Sequence, residues 1–446
     1  MANPAPSGAS GKSLRQYFIG GSAGLFVLRI ISVVLGLGVS TILARELGAA
    51  EFGVFSFAIG VATLLSLPFC GGLPTLLIGE IAQARETGDA GKLRGVIRWG
   101  YLTQLILLLV FGGLAIGTYL VAVSLGVWWW NERETQIALL VLLIVPAMGF
   151  IHLQRGILVG FERPVLSGIG EQLIRPGAML GLLLLFLAML DTGSVGALWL
   201  QLGATLIAGV VIVALIRSVL PPAGDAEPEI RWKEWTLAML PLTATTATTI
   251  VSNNTDILML GILQPPEEAG VYRIAAQISV IAAILMQILR AIAAPQIAAA
   301  HARGDLALMR RLMVHTGWAA TAAALGFVVV FAIFGEFALV LVFGPEYAAS
   351  YWPCLVLALG SVLGASCTMV SIALQMTRNG GIVAKAAIVA AVFNVVLNLL
   401  LVPSFGALGA AIGTAVSLSV MQLQLAYQAQ RILGVRADIF QMPSAR

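Results

Sequence analysis

Long apolar runs alternate along this chain with short polar breaks, and almost no stretch shows the two-residue alternation of a strand. A membrane-spanning helix needs about 20 mostly apolar residues. On that criterion the pattern predicts twelve spans, at 18–44, 53–79, 96–125, 136–160, 172–190, 195–219, 236–263, 269–298, 313–335, 351–376, 381–402 and 406–430. The fifth is the least apolar at its start, where Glu171 and Arg175 stand. The longest loop is about 15 residues, which leaves no room for a folded soluble domain.

The breaks sort by charge. One set holds Lys12 and Arg15, then Arg85, Lys92, Arg94 and Arg98, then Arg155 and Arg163, Arg217, Arg231 and Lys233, Arg303, Arg310 and Arg311, Arg378 and Lys385, and finally Arg431, Arg436 and Arg446. The alternate set holds Arg45 and Arg133 against Glu46, Glu51, Glu132, Glu134, Asp191, Glu267, Glu268, Glu336 and Glu346. Basic loops stay on the cytoplasmic side. A twelve-span count puts every basic loop on that side, with both termini cytoplasmic.

The two halves repeat. LGAAEFGVFSFAIG at 47–60 parallels LQPPEEAGVYRIAAQ at 263–277, so that Gly53 matches Gly270. Asp89 matches Asp305, Arg94 matches Arg310 and Arg163 matches Arg378, all at nearly the same offset. VGALWLQLGAT before the sixth span resembles LGALGAAIGTA before the twelfth. Six spans per unit is an even number, so both halves enter from the same side and lie parallel. The expected fold is an all-α polytopic membrane protein, with about 12 transmembrane helices in two parallel six-helix bundles around a central cavity. The predicted division is a tail at 1–17, a bundle at 18–219, a cytoplasmic linker at 220–235, a bundle at 236–430 and a tail at 431–446. Transporters of this build place their site between the halves.

Composition agrees. The chain is 59% hydrophobic and 10% charged, against about 25% charged in soluble proteins. Its 48 glycines suit close helix packing in lipid. The net charge of +4 follows from the orienting loops and points to no nucleic acid. The first residues, MANPAPSGASGKSLRQ, lack the apolar core of a signal peptide. Cys70, Cys354 and Cys367 have no ligand spacing, and no DxD-like pair, His cluster or Ser/His/Asp set appears. The expectation is no catalytic residue, no cofactor, no metal and no enzyme. His152, His301 and His315 read as interfacial residues. Trp232 and Trp235 would sit at headgroup depth on one face, and WWWNE at 128–132 on the other.

Ionisable groups inside spans are costly and point to function. Arg29 stands about 11 residues into the first span, roughly 16 Å deep. It reads as an anion contact in a cavity, since the guanidinium fork matches phosphate oxygens, or else as half of a buried pair. Asp256 follows the polar run Ser252-Asn253-Asn254-Thr255. With Asn253 and Asn254 it reads as a proton or sodium site, or else as a salt bridge to Arg273 or Arg45. Arg273 and Arg290 on the eighth span, with Gln277 and Gln287, read as a cavity face or as interhelical bonding. Asn394 and Asn398 fit helix glue better than a substrate site.

LARELGAAEFGVFSFA at 43–58, the basic stretch after the second span, and GALGAAIGTAVS at 406–417 resemble the polysaccharide and O-antigen flippases (Wzx-like) of the multidrug/oligosaccharidyl-lipid/polysaccharide exporter superfamily. The resemblance covers nearly the whole chain. It implies an inner-membrane protein of bacteria, moving undecaprenyl-pyrophosphate-linked oligosaccharide to the periplasmic leaflet for O-antigen, lipopolysaccharide, capsule or exopolysaccharide. It implies a lipid-linked oligosaccharide and membrane lipids as partners, beside a polysaccharide polymerase and a chain-length regulator. Cavity arginines lie on the first and eighth spans of such flippases, where Arg29 and Arg273 stand here. An ion-coupled multidrug antiporter of the same superfamily would want several deep acids, and Asp256 alone qualifies. A lipid II flippase would have about fourteen spans. A membrane-embedded sugar polymerase or ligase would need larger loops.

Overall fold

In the computed structural model, residues 14–124, 131–220, 227–366, 368–376 and 379–433 are described, and among these there is no strand. The described residues make twelve passes. The first helix, α1 (Leu14–Leu65), holds two of them, because Gly48 at φ 72° breaks it. The second pass continues through α2 (Leu67–Cys70) and α3 (Gly72–Thr87). Passes three and four are α4 (Ala90–Ser124) and α5 (Glu132–Gly160). The fifth is broken into α6 (Pro164–Gly168), a π-helix (Ile169–Ile174) and α7 (Arg175–Leu185). The sixth is α8 (Ser194–Arg217).

The second bundle follows with α9 (Trp232–Leu263), α10 (Pro266–Ala302) and α11 (Leu306–Phe343). Its fourth pass is α12 (Tyr351–Ser366) with α13 (Thr368–Met376). The last two are joined in α14 (Gly380–Leu433), which breaks at Gly406 with φ 52°. By length and apolarity seven helices among the described residues qualify as spans. Two of these carry a glycine break and hold two passes each. α9 is long enough but carries the polar run Ser252–Asp256.

Helix ends differ from the expected boundaries. α1 begins at Leu14 and α14 ends at Leu433, inside the two predicted tails; residues 1–13 and 434–446 lie outside the described residues. α9 opens at Trp232, inside the predicted linker, because Trp232 and Trp235 pack on Trp99 at 6.5 and 5.6 Å between ring centroids. Residues 221–226 of that linker, Trp128 to Trp130, Cys367 and Arg378 also fall outside the described set. Asn131 and Glu134 close a capping box on α5.

The repeat shows in detail. Gly88 (φ 70°) and Gly304 (φ 71°) each end a helix. Asp89 and Asp305 then cap the next one, accepting from Lys92 N and Leu308 N at 2.8 Å each. At the opposite face, Glu51 accepts from Ser194 N at 2.8 Å, just after Gly193 (φ 68°). Its counterpart Glu268 accepts from Ala407 N at 2.6 Å, just after Gly406. Gly53 and Gly270 meet where the bundles cross. A Cβ on Gly53 would lie 1.7 Å from Pro266 O, and one on Gly270 would lie 2.3 Å from Ala49 O.

Candidate functional site: a basic cavity between two bundles

A cavity of about 150 Å³ lies between the bundles. Gly36, Ser40, Arg175 and Gln201 come from the first bundle, and Arg273 and Gln277 from the second. Gln277 accepts from Ser40 Oγ across the gap at 2.7 Å. The two guanidiniums reach the cavity from opposite sides. Among the described residues neither has a hydrogen bond or ion pair, while Glu171, one turn before Arg175, is taken by Arg155 at 3.1 Å. The π-helix sets this up: its wide turn places Arg175 at the start of a new helix, with Pro176 behind it. The lining holds two guanidiniums, each a fork of N–H donors, and no carboxylate.

The cavity is shut at its acidic-loop end. Arg45 donates to the carbonyls of Leu341 and Val342, the latter at 2.8 Å. Glu346 accepts from Ala49 N at 2.8 Å, directly after the Gly48 break. Tyr347 Oη reaches Ala44 O at 3.4 Å. Each of these contacts joins one bundle to the other. At the same face Arg133 pairs with Glu51. Partial burial raises the Glu51 pKa, but the Ser194 N–H and Arg133 lower it more, leaving it below its ordinary value.

A second polar centre lies inside the second bundle. Asp256 is 6% exposed. It accepts from Tyr272 Oη, from Asn398 Nδ2 at 2.6 Å, from Asn394 Nδ2 at 3.3 Å and from Thr414 Oγ1 at 2.6 Å. No cation of the chain pairs with it among the described residues, and the buried Asn398 Oδ1 has no hydrogen-bond partner there. Thus the structure gathers Asp256 with Asn394 and Asn398 rather than with Asn253 and Asn254. Asn254 bonds to Ile250 O in its own helix and Asn253 is exposed. Neither Arg45 nor Arg273 is its salt-bridge partner.

Of the arginines singled out in the sequence, Arg273 lines the cavity. Arg29 is exposed on α1, about two turns from Gly36 and outside the lining. Arg290 stands in α10, with its side chain outside the described set. Arg175 was passed over by sequence reasoning; an arginine inside a span, followed by proline, was the available signal.

Residues 20–301 match the family described as Polysaccharide biosynthesis protein. The chain belongs to that family. The chain is 21% identical over 187 residues to the probable low-salt glycan biosynthesis flippase Agl15 of Haloferax volcanii. That match spans 42% of the chain and 40% of the relative's length. Its fold is that of an inward-facing multidrug resistance transporter of the MATE family of the MOP superfamily, with TM-score 0.73, 16% identity, and 92% of this chain and 98% of that one covered. It is equally that of the lipid II flippase MurJ in an inward closed conformation, with TM-score 0.72, 13% identity, and 92% and 87% covered. The chain is therefore a multi-pass membrane protein with the two-bundle transporter fold.

Proposed function

We propose that this protein is a flippase. Its cargo is an undecaprenyl-pyrophosphate-linked oligosaccharide, moved from the cytoplasmic to the periplasmic leaflet by alternating access for a surface polysaccharide such as O-antigen, capsule or exopolysaccharide. The observation that carries the reading is the pair Arg175 and Arg273, one from each bundle, lining one cavity whose walls hold no carboxylate. Two cations in such a place repel, and a diphosphate between them relieves that cost. Arg29, nearer the basic loops, would meet the same headgroup on entry. Burying a diphosphate in hydrocarbon without such contacts would cost several kcal/mol or more.

The orientation of the basic loops supports a cytoplasmic placement of both termini and of the 220–235 linker, in a bacterial inner membrane. A polymerase and a chain-length regulator would act on the delivered cargo. Asp256, a buried carboxylate ringed by neutral donors, is the candidate site for a coupling proton or sodium ion.

The test is complementation of cells lacking the protein. Wild type should clear lipid-linked oligosaccharide from the cytoplasmic leaflet, while stably expressed Arg29→Ala, Arg175→Ala and Arg273→Ala should let it accumulate. Unchanged lipid-linked sugar together with raised drug sensitivity would transfer the reading to the multidrug antiporter.

A further inference from the structure

A second cavity lies away from the cargo path, at the basic-loop end of the first bundle. It is a groove of about 980 Å³. One wall is α4, where Leu93 and Ile97 form one row and Arg94, Arg98, Leu102 and Leu105 a second, each at three- or four-residue spacing. Arg85 at the end of α3 stands beside it, held in place by Gly160 O at 3.3 Å and Glu162 at 3.7 Å. Leu220 and Pro228 of the segment between the bundles close the other side, tied down by Glu229 N donating to Gly91 O at 3.1 Å.

The groove changes chemistry along its length. Its basic end lies at the level of Trp99, which packs on Trp232 and Trp235; Trp99 and Trp235 are buried in the bundle, and Trp232 is 41% exposed. Leu105 follows Arg98 by seven residues, about 10 Å further into the membrane. It is half exposed, and the same face continues outward through Leu108 and Leu109, 41% and 66% exposed. The lining holds three arginines and one carboxylate, that of Asp89, which caps α4, while Arg85 also pairs with Glu162 outside the groove. A cationic rim above an open apolar track has the shape of a two-chain lipid with a negative headgroup.

We propose that this groove binds an anionic phospholipid of the leaflet on the basic-loop side. Its phosphate meets Arg94 and Arg98, and its acyl chains run along Ile97, Leu102 and Leu105. The site is separate from the central cavity and does not depend on what the central cavity carries.

The test is native mass spectrometry of the purified full chain, offered equal amounts of phosphatidylglycerol and phosphatidylcholine. Wild type should retain phosphatidylglycerol in preference, and Arg94→Gln/Arg98→Gln should reduce that retention about tenfold. Arg310→Gln/Arg311→Gln removes the same charge from the corresponding loop of the other bundle and should leave it intact. Equal retention of the two lipids, or equal loss in both double variants, overturns the proposal. If the double variant fails to fold, Arg98→Gln alone carries the test, because Arg98 is exposed and makes no ion pair among the described residues; unchanged phosphatidylglycerol retention in that variant likewise overturns it.

Discussion

At the scale of residues, Arg175 and Asp256 carry the sharpest expectations. Arg175→Lys keeps the charge but loses the planar fork, and Arg175→Ala loses both. If the guanidinium geometry matters, transport of lipid-linked oligosaccharide into sealed vesicles should fall about tenfold in the lysine variant and further in the alanine variant. Equal, full activity in both would remove Arg175 from the site. Asp256→Asn replaces an acceptor ringed by donors with a group that must donate as well, at a cost of about 1–2 kcal/mol. The protein should stay folded, but uptake should cease to respond to an imposed proton or sodium gradient. The sequence indicated that Asp256 was special and misdirected the search for its partners. Neighbours on a helix share a face only at three- and four-residue spacing, and the groups that hold Asp256 stand on other helices: Tyr272 16 residues away on α10, and Asn394, Asn398 and Thr414 138, 142 and 158 residues away on α14. That distance is set by bundle packing, which no local pattern records.

At the scale of elements, the glycine–acid clasps explain why the repeat was readable at all. Gly88 with Asp89 and Gly304 with Asp305 are local devices: a left-handed glycine ends one helix and the next residue caps the following one. Such devices leave a fixed spacing in the sequence. Glu51 and Glu268 work across elements, and only their place in the repeat suggested that they match. The π-helix at Ile169–Ile174 left no readable spacing, only an oddly polar span start. Glu51 gives a pH expectation. Its folded pKa lies below the ordinary value, so its clasp stabilises the protein above the unfolded carboxylate value, about 4.3, and is lost as pH falls through the lower folded one. Glu51→Gln should lower the melting temperature at pH 7, by roughly 1 kcal/mol of stability, and should narrow the gap to wild type on acidification toward pH 3. A gap that stays constant with pH would mean that the carboxylate charge contributes nothing. Gly406→Ala should also destabilise, since a Cβ there lies 2.3 Å from the Glu268 carboxylate on backbone at φ 52°.

At the scale of the molecule, twelve passes were legible because lipid forces the apolar pattern, and the parallel halves were legible because each repeat holds an even number of passes. The conformational state was not legible. It rests on contacts between bundles: Arg45 on the carbonyls of Leu341 and Val342, Glu346 on Ala49 N, and Tyr347 on Ala44 O. These gather at the acidic-loop face, above the Gly53–Gly270 crossing where the two repeats touch backbone to backbone. The crossing has no spare volume, so it suits a pivot, while the polar contacts beyond it can part and be replaced by water. Glu346 is then a fastener. Removing it costs a charge-assisted hydrogen bond, about 1.5–3 kcal/mol, which would favour parting of the acidic-loop ends roughly tenfold or more. A Ser40→Cys reporter in the cavity, labelled in intact cells by a membrane-impermeant maleimide, should react faster when combined with Glu346→Ala. Gly53→Ala, which puts a methyl group into Pro266 O, should act differently, lowering stability rather than raising labelling alone. Faster labelling in the Glu346 variant with an unchanged melting temperature would establish a gate at that face. Unchanged labelling would mean that Glu346 only caps the helix after Gly48, and that the closure rests on Arg45 and the crossing itself.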